Sequence, residues 1–172
     1  MGRDLRGPKG KEMPRGWGEQ YDRMNRWFAR LTAPEGVDEQ HMDDYYAFFT
    51  CCFHLKDWLK ADETLQRTLG EAAEAHVNSH PALGVCADVA NGAKHLVVSR
   101  RPRVDANARL EKGEARLTDP RGESAEERFD VVYLHADGHS QLALLIAADC
   151  VRMWNEFLVT WGLLLVKSSE GK

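Results

Sequence analysis

The sequence predicts a mainly α fold of the α+β kind: a bundle of four to five helices with a three-stranded antiparallel β insertion before the last helix. Two observations predict it. Apolar residues recur every three or four positions through most of residues 17–98 and again after residue 147, the rhythm of helices that bury one face. Between about residues 109 and 146 that rhythm gives way to β-formers around Asp137-Gly138, the strongest short-range hairpin signal.

The elements follow in order. Residues 1–16 hold Gly2, Gly7, Pro8, Gly10, Pro14 and Gly16 and read as a flexible basic arm, with Arg3, Arg6, Lys9, Lys11 and Arg15 against only Asp4 and Glu12. Residues 17–172 then make one helical domain with its β insertion at about 109–146. Trp17, Tyr21, Met24, Phe28 and Leu31 mark one face of a helix over 17–31, which Ala33-Pro34-Glu35-Gly36 ends. A second helix spans 38–60, with Asp38 as its cap and Tyr45, Phe48, Phe49, Cys52, Leu55, Trp58 and Leu59 as a broad buried stripe. A third starts at Asp62 or Thr64 and reaches about His76, with Leu65, Leu69, Ala72 and Ala73 inward. Asn78-Ser79-His80-Pro81 separates it from a fourth that reaches about Val98, with Ser79 as the cap and Pro81 in the first turn, where its missing N–H costs nothing. Strands follow at 109–118, 128–135 and 140–146, with a polar loop over 120–127. The last helix covers 148–166, with Val151, Trp154, Phe157, Leu158, Trp161 and Leu165 inward and Asp149 at its positive end.

Composition narrows the function classes. With 172 residues, 43% of them hydrophobic and 29% charged, the chain suits one ordinary globular domain and is too apolar for disorder. The most apolar stretch, 157–166, is half of the roughly 20 residues that a membrane-spanning helix needs. The basic amino terminus has no apolar segment behind it, so the expected location is cytoplasmic, with no membrane partner. Cys51, Cys52, Cys86 and Cys150 show no C-x-x-C spacing and read as free buried thiols of a reducing compartment, not as a zinc finger or a disulfide framework. A net charge of −4 argues against wholesale nucleic-acid binding, although Arg100, Arg101 and Arg103 form a second basic knot after the arm. No nucleophile elbow, phosphate-binding loop, dinucleotide fingerprint or H-E-x-x-H motif occurs, and no cofactor is implied.

Polar residues inside two of the most apolar helices are the notable feature. His54 and Asp57 share a side of the second helix, while Asp88, Asn91 and His95 make a polar stripe on the fourth. If those edges face one another, two imidazoles, two carboxylates and an amide converge. Three outcomes stand open: an internally satisfied polar layer, a catalytic or binding site with Lys94 and His95 at its rim, or a metal site. Glu71, Glu74, His76 and His80 are a separate metal option at a charged helix end. Gly92, which costs a helix about 1 kcal/mol relative to alanine, calls for close packing or an approaching ligand.

His54-Leu55-Lys56-Asp57-Trp58 and Ala90-Asn91-Gly92-Ala93-Lys94-His95 resemble the paired H-L-x-D-W and A-N-G-x-K-H segments of a group of bacterial and phage-borne helical proteins. More loosely, a small bundle of this kind looks like the HEPN class, many of whose members are dimeric ribonucleases with an arginine and a later histidine separated by four to six residues. Arg128 to His135 is the stretch with that spacing, on a predicted strand, with Phe129 where a polar residue is usual. The expectation is a non-enzymatic binding module of a bacterial or mobile-element cytosol, with nucleic acid, a protein or a second copy as partner. Lys94, Arg100, Arg101 and Arg103 would then contact nucleic acid. The alternative is a His-dependent hydrolase, most readily a ribonuclease, in which His54 and His95 act as acid and base while Asp57 and Asp88 orient them.

Overall fold

The segment from residue 45 to 59 is apolar on almost every side, and a helix of that kind must be enclosed by others. It is so enclosed in the computed structural model, which describes residues 16–33, 39–94, 101–117 and 127–164, with only the backbone of Lys94, Leu117 and Glu127. The helix, α2 (Glu39–Ala61), touches all four of its fellows: α1 (Trp17–Leu31), α3 (Arg67–Ser79), α4 (Pro81–Lys94) and α5 (Ala143–Thr160). Phe48, Phe49, Cys52 and Leu55 are fully enclosed, and Met24, Leu83, Cys86, Trp154 and Leu158 close over them from the neighbours.

Three strands, β1 (Arg109–Leu117), β2 (Glu127–Ala136) and β3 (His139–Leu142), form an antiparallel sheet in that order, immediately before α5. Leu110 faces Leu134 across the first pair, and with Val132 they bury the sheet's inner face toward α4 and α5. Asp137 and Gly138, both at positive φ, make the tight β2–β3 turn that the Asp-Gly pair predicts. On the outer face the Tyr133 ring lies across Gly113, where a Cβ would stand 2.6 Å from a ring carbon.

Several boundaries differ from those read from sequence. The strand expected over 140–146 stops at Leu142, and α5 begins at Ala143 rather than residue 148, because the run Ala143-Leu144-Leu145-Ile146-Ala147 favours a helix once strand pairing ends. Asp149 accordingly lies in the second turn and pairs with Arg152 at 2.8 Å. Helix α5 also stops early, at Thr160. Gly162, at φ 69°, completes a Schellman closure in which Leu163 N–H reaches the Leu158 carbonyl at 2.8 Å and Gly162 N–H the Val159 carbonyl at 2.9 Å. Trp161, expected in the core, is therefore past the helix end and 38% exposed.

At the other junctions, α3 starts at Arg67. Asp62 instead binds the Thr64 backbone N–H and hydroxyl, and it accepts the first N–H of α1 from Trp17 at 3.1 Å. Pro81 opens α4 as expected, but Ser79 closes α3, donating to the His76 carbonyl at 3.1 Å instead of capping α4. Gly92 is exposed, and among the described residues a Cβ there would meet only the Ala108 carbonyl oxygen, at 3.9 Å, so no close helix packing is seen at it among those residues. Residues 1–15, Asp38, 95–100 and Leu165 lie outside the described residues.

No described helix is long and apolar enough to cross a membrane.

Candidate functional site

In the C-terminal third of α2 stands Lys56, a lysine in an otherwise apolar stretch and only 9% exposed. A buried ammonium must be paired or lose its charge. Its Nζ bonds Asp57 Oδ1 and Glu74 Oε2 of α3, each at 2.8 Å, and lies 4.8 Å from the centre of the Phe53 ring. Glu74 Oε1 accepts a 2.7 Å bond from Arg103 Nη2, while Arg103 Nε donates to Asn78 Oδ1 at 2.9 Å. The Arg103 guanidinium also lies over Phe53, 5.0 Å from its centroid. One buried ring thus carries two cations, and the carboxylates alternate between them.

Asp57 extends the chain to His54, whose Nδ1 lies 2.9 Å from Asp57 Oδ2. The i, i+3 spacing on α2 brings the two together as the sequence predicts. His54 is about a third exposed, at 35%, and its Nε2 takes no hydrogen bond among the described residues. Partial burial pushes the Asp57 and Glu74 carboxyls up, but the adjoining cations outweigh it, Lys56 and His54 at Asp57 and Lys56 and Arg103 at Glu74. Both groups titrate below the usual carboxylate range.

Asp88, on α4, is 5% exposed and has a different task. Oδ1 accepts the Arg103 N–H at 2.8 Å, and Oδ2 accepts those of Val104 at 2.6 Å and Asp105 at 2.9 Å. Asp105 in turn accepts the Asp137 N–H at 2.9 Å, so the β2–β3 turn hangs from the same loop. The polar groups of α2 and α4 are therefore joined, but through Lys56, Glu74 and Arg103 rather than directly. Asn91 is half-buried on α4, Arg101 is exposed, the Lys94 backbone ends the helix, and His95 and Arg100 lie outside the described residues. Phe53, Lys56 and Glu74 were not identified as partners from sequence. The available signal was Lys56 itself, a charge inside an apolar run.

The alternative quartet does not converge as a metal site. Glu71 pairs with Arg67 at 3.7 Å and Glu74 with Lys56 and Arg103, while the His76 Nε2–H donates to the Met153 carbonyl at 3.1 Å and His80 Nδ1–H to the His76 carbonyl at 2.8 Å. Burial and the adjacent His80 lower the His76 pKa. Arg128 and His135 lie on opposite faces of β2 by strand alternation and pair separately, Arg128 with Glu114 at 3.7 Å and His135 with Glu111 at 3.3 Å.

Sequence reading missed a second convergence. All four cysteines are free and buried, as expected, but Cys52 of α2, Cys86 of α4 and Cys150 of α5 bring their sulfurs within 4.8 Å of one another. Among the described residues this is the one group of three or more potential metal ligands so placed. Cys86 donates to the Phe49 carbonyl at 3.3 Å and Cys150 to the Ala82 carbonyl at 3.5 Å. Burial raises both thiols well above their ordinary pKa. It would raise Cys52 too, but the polar groups packed around its sulfur, the Cys150 and Cys86 thiols and the Trp154 indole, outweigh it and hold that thiol low.

No protein-family model matches the chain, and searches among curated proteins and solved structures find no match.

Proposed function

We propose that the chain is a non-enzymatic binding module of a bacterial or mobile-element cytosol, which engages the phosphates of a nucleic-acid partner beside the polar end of the bundle. The supporting observation is the chain of ion pairs from Asp57 through Lys56 and Glu74 to Arg103. Acid–base catalysis needs groups free to exchange protons, whereas recognition benefits from charges fixed before the partner arrives. Both carboxylate oxygens of Asp88 already hold backbone N–H groups, which removes it as an orienting partner for a histidine. Exposed Arg101, with the five cations of residues 1–16, supplies the charge that phosphates would meet.

Titration of a fluorescent single-stranded RNA across a salt series tests this reading. Affinity should fall as salt rises. Removal of residues 1–16 should flatten the log–log slope by up to about one per cation lost, and Arg101→Ala by about one more. No binding by the full chain at low salt would sink the proposal.

A catalytic alternative has an observation of its own, the Asp57-oriented His54 with its outer nitrogen unengaged among the described residues. Under that reading His54→Gln abolishes RNA cleavage while leaving the melting temperature unchanged. Intact RNA after prolonged incubation with the full chain dismisses it.

A further inference from the structure

Away from the polar end, a cluster of three cysteines lies between three helices. Cys52, Cys86 and Cys150 are each 0% exposed, and they come from α2, α4 and α5. Buried cysteine is common as a small apolar residue, and the two S–H···O=C contacts between helices suit that role. Two further observations exceed it. A thiolate binds a first-row d10 ion at about 2.3 Å, so three sulfurs around a planar ion stand about 4.0 Å apart, inside the spacing found here. The indole N–H of Trp154, also 0% exposed, has no conventional hydrogen-bond partner although it lies at the Cys52 sulfur. An orphaned buried donor is costly unless something electron-rich faces it, and a metal-bound thiolate is such a group.

We infer that Cys52, Cys86 and Cys150 form a buried three-thiolate site for a soft monovalent ion, Cu(I), with the Trp154 N–H directed at the Cys52 ligand. Thiolate ligands select soft ions. Zinc in a structural site takes four ligands, and here the fourth side chain at hand is an indole, which can donate but cannot coordinate. Loading replaces the protons on the sulfurs with the metal and releases them to solvent; no electron is transferred. Because the sulfurs are enclosed, the ion enters as the bundle folds or during a transient separation of α5 from α2 and α4.

The test is refolding of the reduced full-length chain without oxygen in the presence of one equivalent of Cu(I), followed by desalting against a Cu(I) chelator. One copper per chain should remain, with near-ultraviolet thiolate-to-copper absorption and an X-ray absorption shell of three sulfurs at about 2.3 Å. Cys52→Ser, Cys86→Ser and Cys150→Ser should each lower retention at least tenfold, consistent with loss of a ligand. Cys51→Ser should not, since that thiol faces Gln20 and Trp27 of α1. Trp154→Phe should weaken binding about tenfold at unchanged stoichiometry. Absence of copper from the wild-type chain, two sulfurs in the shell, a four-ligand zinc ion retained in its place, or equal loss with Cys51→Ser would overturn the inference. The absorption shell of the wild-type chain decides the matter even if a serine variant does not fold.

Discussion

Asp88 is the residue whose sequence context said most and whose role said least. Its place in an apolar helix marks it as a carboxylate that must be satisfied, and it is one of four polar or charged residues found buried among those described. What satisfies it, three consecutive N–H groups of residues 103–105, depends on how a loop folds back over α4, and no local pattern encodes that. Asp88→Ala should cost about 2–4 kcal/mol in chemical denaturation, since several buried donors lose their acceptor together. Asp88→Asn should recover less than half of the loss, because its NH₂ would meet N–H groups head on. His54 and Asp57 were legible as a pair because i, i+3 geometry is set within one helix. Lys56 and Glu74 were not, because their meeting requires α2 and α3 to pack first.

At the scale of elements, helices with a clean apolar stripe were readable to within a few residues, and the Asp-Gly turn fixed the hairpin. The β3–α5 junction was not readable. A short continuous apolar run suits an enclosed strand or an enclosed helix equally well, and periodicity cannot decide between them. The opposite end of α5 was missed for a related reason. Trp154 and Trp161 keep helical spacing, but Gly162 turns the chain out, and the second tryptophan rests against Phe157 at the surface instead of entering the core. Gly162→Ala forces a Cβ into a left-handed backbone and should destabilise the fold by about 1 kcal/mol, measured as a lower melting temperature by circular dichroism.

For the whole molecule, acid should act in two stages. His76 has a lowered pKa in the fold, so the unfolded chain takes up a proton first as pH falls through the ordinary value of 6.5, and stability drops from there downward. Asp57 and Glu74 also titrate low in the fold. Their contribution is complete above the ordinary carboxyl values of 3.8 and 4.5 and is lost as pH falls through the folded values beneath them. Melting temperature against pH should therefore show two descending limbs, the first flattened by His76→Phe and the second by Lys56→Met. A single limb beginning only below pH 4 would contradict the first stage. The fold class was legible at this scale because a five-helix pattern with one hairpin leaves few ways to cover every stripe. The meeting of three cysteines was not, since each belongs to a different helix and only the assembled bundle brings them together. The position of α2 has one more consequence. A fragment that omits residues 39–61 loses the one helix that touches all four others, so the remaining pieces are expected to lose their order together, as a single unfolding transition.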